Sequence, residues 1–572
     1  MTRPLHVTPN PVVAELVPYS PERLDLPIDL VLDANEALAP VEALAAAFRT
    51  AAAVDVHRYP GAATAEARIA ALRGVEPERV LVTAGADDAL ERAIRTVAAP
   101  GRQAILTRPS FSMLPRYARL AGADVLELDW WSGPWPVDEA IGTASDATAV
   151  ITVVSPNNPT GAVISAEDLL RLTDALPHTL VLLDHAYAEF ADHDLTDLAL
   201  TRPNVVVFRT FSKAWGGAGL RLGYAVGDPR VIAWMRSVGQ PYSVSAPSVA
   251  ALVALLDTAP EPPRSRIAAI RAERQQLTSM LTDLGCEALP SEGNFVLVRP
   301  PDAPRLHRAL AALGIGVRRF GSPPLAGWLR MTVPGDDDAF ARLVDGLRTV
   351  LAPEALLFDM DGVLADVSRS YRRAIIDTAA SWNVTVTPGD IASAKAAGDA
   401  TNDWELTRRL LADRGVDAPL DEVTRRFEQL YQGDGTIEGL YRTETPRLDR
   451  QTLARLGERC RLGVVTGRPR ADAERFLDDH GLSDLFSAVV SMEDAPSKPD
   501  PAPVRLAMEQ LGVRRAWMVG DTPDDLRAAR AAGALPVGVP APGDDAGTAR
   551  AVLLGAGAAF VLDTPDDLEE VL

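Results

Sequence analysis

Lys213 lies in Arg209-Thr210-Phe211-Ser212-Lys213-Ala214-Trp215-Gly216-Gly217-Ala218-Gly219-Leu220-Arg221, directly after the strand-like run Val205–Phe208. A lysine amine can condense with an aldehyde to an imine, whereas a guanidinium stays protonated and cannot. Hydroxyls, backbone N–H groups and a guanidinium such as Arg221 are the groups that hold a phosphate dianion. This setting predicts an imine partner beside a phosphate. Upstream, Asp184 ends the apolar run Leu180-Val181-Leu182-Leu183. A carboxylate there can pair with a protonated pyridine nitrogen and keep the ring an electron sink. Tyr187 follows closely, and Asn158, in Ser155-Pro156-Asn157-Asn158-Pro159-Thr160-Gly161, could hydrogen-bond a ring hydroxyl.

A second constellation lies far downstream. Asp359-Met360-Asp361-Gly362 follows the strand-like Ala355–Phe358, and Asp521, Asp524 and Asp525 follow Trp517–Val519. Carboxylates crowded at strand ends need a cation, and Mg2+ prefers such hard oxygen ligands. Between the two acidic sets stand Thr466, after Leu462–Val465, and Lys498, in Ser497-Lys498-Pro499. Of 57 lysines and arginines only Lys213, Lys395 and Lys498 are lysines. Codon bias explains the total, but it leaves each surviving lysine as a candidate for chemistry that arginine cannot perform.

Such residues need strand ends to hold them. Short apolar runs alternate with helical patterns throughout, the sign of α/β layers around parallel sheets. Strands are expected at Val80–Val82, Ala104–Leu106, Ala149–Val154, Leu180–Leu183 and Val205–Phe208, then at Ala355–Phe358, Leu462–Val465, Ala488–Val490 and Trp517–Val519. A helix over Asp337–Leu351, then Ala352-Pro353, marks a boundary between residues 1–352 and 353–572. In the first part a large domain is expected over about 36–240, with a small one from 1–35 and 241–352. In the second, the amphipathic runs Trp404–Leu411 and Leu420–Tyr431 predict a helical cap over about 366–455.

The order and spacing of the first set resemble the fold-type I pyridoxal-phosphate aminotransferases, most closely the histidinol-phosphate aminotransferases, over about residues 10–350. The resemblance implies a large mixed-sheet domain with a small α/β domain. Lys213 would be the imine lysine, Asp184 the pyridinium partner, and Asn158 and Tyr187 the contacts of the phenolic oxygen. Gly85, Ala86, Asp87, Thr210, Ser212 and Arg221 would form the phosphate cup, and Phe111 would stack on the ring. Tyr59 would reach the partner subunit's phosphate in a homodimer. Arg330 would grip the substrate carboxylate, and Arg318 would contact its distal end. The chain departs from the family at Asp184-His185-Ala186-Tyr187, at Phe111, at Asn35-Glu36-Ala37-Leu38, and in the crowding of Trp130, Trp131 and Trp135, read as local packing. These departures leave the substrate's side chain open.

The second set resembles the haloacid dehalogenase superfamily of phosphatases, first subclass, a Rossmann-like core with a helical cap. By that resemblance Asp359 is the nucleophile, Asp361 the acid and base, and Thr466 and Lys498 the phosphoryl clamps. Asp359, Asp361, Asp521 and Asp525 would form the Mg2+ set. Lys395, in the cap, is expected to bind the remote anionic or polar end of the substrate, with Asn402, Asp403 and Trp404 as further candidates.

Together these readings predict two chemistries on successive steps. A small keto phosphate is transaminated, and the amino phosphate is then hydrolysed to an amino alcohol. Alternatives are chemistry like that of threonine-phosphate decarboxylase beside a phosphatase, or one domain acting only as a binding or regulatory module. The net charge of −21 disfavours nucleic acid and anionic membrane as partners. Two distant cysteines without CxxC spacing fit a reducing cytoplasm. Met1 to Val13 lacks the apolar run of a signal peptide.

Overall fold

The computed structural model describes residues 8–18, 24–51, 56–398 and 402–572; the remainder of the Met1 to Val13 reading lies outside them. The chain divides into two compact units. The first comprises Met1–Arg23, Val31–Ala303 and Val317–Ala341, and the second Leu24–Leu30, Pro304–Gly316 and Arg342–Leu572.

In chain order the strands leading to the lysine site are β1 (Leu30–Leu32), β2 (Val80–Thr83), β3 (Gln103–Arg108), β4 (Asp124–Asp129), β5 (Thr148–Val154), β6 (Leu180–Asp184), β7 (Val205–Thr210), β8 (Gly223–Val226), β9 (Glu287–Ala288), β10 (Phe295–Arg299), β11 (Ile315–Arg319) and β12 (Leu329–Thr332). Seven form one sheet in the order β2-β8-β7-β6-β5-β3-β4. Only β8 runs antiparallel to its neighbours β2 and β7. The other pairs are parallel. Val150, Val154, Leu182, Val206 and Phe208 pack into one core, while Ile151, Val153, Val181, Leu183, Val205 and Val207 pack into another. Both faces of each strand are therefore apolar, which is why these segments read as unbroken hydrophobic runs. Burial of each such side chain contributes roughly 1.5–3 kcal/mol. Trp130 and Trp135 belong to the second of these cores. A further sheet has the order β1-β11-β12-β10-β9 and puts Arg318 directly opposite Arg330.

The second unit carries β13 (Ala355–Phe358), β14 (Arg461–Val465), β15 (Ala488–Val490), β16 (Ala516–Gly520), β17 (Leu535–Gly538) and β18 (Phe560–Val561). Their order is β15-β14-β13-β16-β17-β18, and every pair is parallel. Trp517 on β16 is fully buried and donates its indole N–H to the Thr349 carbonyl at 2.6 Å. The helices Tyr371–Ala380, Pro388–Ala397, Asp403–Ala412 and Leu420–Gln432 lie between β13 and β14 in the chain. The short pairs Ala365↔Pro446 and Asp366↔Thr445 close that segment at its base. Among the described residues no helix is long and apolar enough to cross a membrane.

Candidate active sites

The parallel strands β2, β5, β6 and β7 end along one edge of the seven-stranded sheet, where backbone groups and strand-end side chains are free to meet a ligand. Asp184 is the last residue of β6 and Thr210 the last of β7. Ser155 follows β5, and the helix Gly85–Val97 opens just after β2. The Lys213 amine donates to the Ala34 carbonyl at 3.0 Å and lies 5.7 Å from the centre of the Tyr187 ring. Burial, with Arg330 adding to it, lowers its pKa to about 8. Roughly a tenth of it is therefore neutral at pH 7, far more than for a solvated lysine.

Asp184 is buried and accepts from the Ala186 N–H at 3.1 Å. Burial pushes its pKa up to about 7. A carboxyl so placed ionises fully only beside a cation, and a pyridinium N–H suits it. The Tyr187 hydroxyl accepts from Asn35 Nδ2 at 3.0 Å, and burial pushes its pKa up to about 12, so it stays a phenol. Asn158 Oδ1 accepts from Arg330 Nη1 at 2.6 Å, while Arg330 Nη2 donates to the Asp33 carbonyl at 2.7 Å.

The expected phosphate cup is assembled by close approach. A Cβ on Gly85 would stand 2.6 Å from Arg221 Nη2, and one on Gly223 would stand 2.6 Å from the Gly85 carbonyl carbon. Gly85 also takes φ of 82°, a left-handed conformation natural to glycine. The guanidinium thus lies against the first residue of a helix, whose free N–H groups attract anions. Thr210 and Ser212 are joined, hydroxyl to hydroxyl, at 2.9 Å. Asp87 pairs with Arg221 at 3.4 Å. The donors present fit a phosphorylated pyridine aldehyde.

Phe111 and Arg318 line one cleft of about 410 Å³. Tyr59 is 81% exposed and stacks on Tyr242 with ring centres 4.6 Å apart. A larger cavity, about 510 Å³, is lined by Thr210 but by no other residue of the expected lysine site. His185, the departure beside Asp184, is buried 3.4 Å from Asp194. Arg209 bonds the same Asp194 at 2.6 Å and Glu189 at 2.8 Å. The departure therefore falls in a buried scaffold network.

In the second unit the strand ends converge likewise. Asp359 follows β13, Thr466 follows β14 and Asp521 follows β16. Lys498 Nζ lies 2.6 Å from Asp359 Oδ1 and 2.5 Å from Asp525 Oδ1, and it also donates to the Val465 carbonyl. Thr522 caps the helix Pro523–Ala532 and holds Asp525 Oδ2 through its N–H and hydroxyl, which turns Oδ1 toward Lys498. Oxygens of Asp359, Asp521 and Asp525 lie within 4.8 Å of one another. Burial pushes Asp359 and Asp521 above the usual carboxylate range. One lysine cannot neutralise three carboxylates so close together, two of them buried, and a hard divalent cation fits the all-oxygen donor set.

The carboxylate of Asp361, grouped with the metal set by sequence, is turned elsewhere: Arg468 Nε bonds it at 2.6 Å. Arg468 also bonds Glu444 at 2.9 Å and lies 4.7 Å from the Tyr371 ring centre. Lys395 is half-buried, its ammonium 3.4 Å from the buried Asp403. Asp524 pairs with Arg527 at 3.3 Å. Sequence reading missed Asn35 and Glu444 as site residues. It also missed Arg468, although Thr466-Gly467-Arg468-Pro469 put that guanidinium beside a recognised phosphoryl clamp.

Comparison with known proteins matches both halves. The sequence profile of aminotransferase class I and II covers residues 27–347. That of haloacid dehalogenase-like hydrolase covers residues 353–533. A histidinol-phosphate aminotransferase from Roseiflexus castenholzii is 36% identical over 370 residues, 60% of this chain and 97% of the relative. An imidazoleglycerol-phosphate dehydratase from Phytophthora nicotianae is 51% identical over 197 residues, 33% of this chain, and the chain spans only 44% of that relative. The solved histidinol-phosphate aminotransferase from Sinorhizobium meliloti, in complex with pyridoxal-5'-phosphate, aligns at TM-score 0.53 and 26% identity, over 59% of this chain and 95% of that one.

Proposed function

From a chain that belongs to the class I and II aminotransferase family and continues into a haloacid dehalogenase-like hydrolase domain, we infer a bifunctional enzyme that makes an amino-alcohol phosphate and then removes its phosphate. The observation that carries this reading is the presence in one polypeptide of a buried lysine of lowered pKa set against Asp184 and Tyr187 and of an aspartate pair set against Lys498 and Arg468. Fusion raises the local concentration of a shared intermediate. The relatives' names point to histidinol phosphate as the first amino-alcohol phosphate to try.

Pyridoxal phosphate, when bound, supplies an electron sink that stabilises negative charge at the substrate's α-carbon. Gly85, Ala86, Thr210, Ser212 and Arg221 would hold its phosphate, and Asp184, Asn158 and Tyr187 its ring. Lys213 moves the α-proton, its depressed pKa fitting it to act as base and then as acid near neutral pH. Arg330 offers its fork to a substrate carboxylate. Tyr59, exposed on the surface, would complete the site of a second copy in a homodimer.

In the second site Asp359 attacks phosphorus, the alcohol leaves with a proton from Asp361, and an aspartyl-phosphate remains. Asp361 then takes a proton from water, whose oxygen bonds to phosphorus as the P–O bond to Asp359 breaks, releasing inorganic phosphate and the free carboxylate. Thr466 and Lys498 hold the phosphoryl oxygens. Mg2+, when held by Asp359, Asp521 and Asp525, offsets the repulsion between carboxylate and phosphate anion.

The test uses the full chain with pyridoxal phosphate, Mg2+, glutamate and imidazoleacetol phosphate. Wild type releases inorganic phosphate in step with amine. Asp359→Asn accumulates the amino phosphate, and Lys213→Ala forms neither product. Carbon dioxide release in place of glutamate turnover, or phosphate release that precedes amination, refutes the scheme.

A further inference from the structure

The cap helix Pro388–Ala397 carries Lys395 in its last turn, and the helix Asp403–Ala412 starts at Asp403, behind the N-cap Asn402. A narrow void lies against Asn402 and Asp403, lined also by Asp361, Tyr371, Trp404 and Arg468, whereas Lys395 lines a neighbouring cleft. The void therefore touches the expected general acid directly. Asp403 Oδ1 is buried in the cap and accepts no well-formed hydrogen bond. Its ionic neighbour is the Lys395 ammonium at 3.4 Å, long for a hydrogen bond.

We propose that Asp403 recognises a protonated amine on the phosphate ester, reached from the void that Asp403 lines. This rests on the phosphatase reading above and names its substrate class. The balance of charge decides between the two ends of the ion pair. An anionic group drawn to Lys395 would take the counter-ion from a buried carboxylate, a costly exchange. An ammonium drawn to Asp403 replaces one cation by another. Lys395 then still faces Asp521, with which it lines the neighbouring cleft. The walls suit the same guest: Tyr371 and Trp404 are aromatic, and Trp404 is anchored through its indole N–H to Glu428 at 3.1 Å. Aromatic surfaces favour a cation over an anion. Asp361 and Glu444 share one guanidinium, Arg468, so the lining adds no positive charge in excess. Lys395, expected from sequence to bind an anionic end, thus becomes the internal stand-in for the amine. An amine is the group that the first site would install, so the void would select the aminated product over its keto precursor.

The experiment measures kcat/KM of the full Mg2+-loaded chain for four esters: 2-aminoethyl phosphate against ethyl phosphate, and L-histidinol phosphate against 3-(imidazol-4-yl)propyl phosphate. Wild type is expected to prefer the amino ester of at least one pair by about 30-fold or more. In Asp403→Asn, with Asp403→Ser as the second variant, that ratio falls to within about threefold. The ratio is read within each variant, so a general loss of activity cancels. A wild-type ratio near one for both pairs overturns the proposal without recourse to a variant, as does a ratio preserved in an active Asp403 variant. Hydrolysis of p-nitrophenyl phosphate by wild type separates the two readings. If that ester is cleaved and the ratios are near one, the phosphatase stands and the amine recognition falls. If no ester is cleaved, both fall.

Discussion

Replacing Lys498 by methionine isolates one charge. Methionine keeps the length and apolar stem of lysine but loses the ammonium, whose side chain is only 4% exposed and sits 2.6 Å from Asp359 and 2.5 Å from Asp525. Removing one partner of a buried ion pair costs about 3–5 kcal/mol, because the remaining charge is left uncompensated. Here it leaves three carboxylates whose oxygens lie within 4.8 Å of one another. Protonation limits the damage. Burial, aided by Asp525 and Asp361, already raises Asp359, and Lys498 is the group that opposes this rise. A carboxyl with a raised folded-state pKa binds a proton that the unfolded chain releases above about pH 4, so stability falls as pH rises through that window. In Lys498→Met the window extends higher. At pH 8 most of the cost applies, and the transition of the second unit should fall by up to roughly 6–20 °C for a unit of this size. At pH 5.5 the loss should be less than half of that. Millimolar Mg2+ should restore more to the variant than it adds to wild type, since a divalent cation replaces the missing charge. Scanning calorimetry of the full chain, with and without Mg2+ at both pH values, reads this through the transition that Mg2+ moves. An unmoved transition at pH 8, an equal loss at both pH values, or an absence of Mg2+ rescue would refute the reasoning.

Two further predictions concern the lysine site. Gly223→Ala places a Cβ 2.6 Å from the Gly85 carbonyl carbon and 2.7 Å from Ala86 N; the overpacking strain of about 1–3 kcal/mol should weaken pyridoxal-phosphate binding about tenfold or more, measured by absorbance titration. Gly219→Ala, with nothing within 4 Å of its added Cβ, is the control and should bind as wild type does. The rate at which the cofactor-free chain captures pyridoxal phosphate should rise with pH and level off above about 8, because only the neutral Lys213 amine attacks an aldehyde; a midpoint near 10.5, the ordinary lysine value, would show that burial does not depress this amine.

The sequence by itself determined the two chemistries. Lysine scarcity, the strand-end acids Asp184, Asp359 and Asp521, and the apolar runs that became β5, β6, β7, β13, β14 and β16 were all legible, because each depends on residues adjacent in the chain. Unbroken apolar runs admit only a sheet covered on both faces, and such a sheet presents its chemistry at the strand ends. The tertiary structure alone decided how the sites are wired. Asn35 meets the Tyr187 hydroxyl across 152 positions, Arg468 takes the Asp361 carboxylate across 107, and Trp517 reaches the Thr349 carbonyl across 168. No local pattern marks either member of such a pair. The contact exists because packing brings the two strand ends or helices together and leaves one donor within reach of one buried acceptor. The same holds for Lys395, whose place in the cap was visible from its sequence but whose counter-ion, Asp403, came from the start of the next helix.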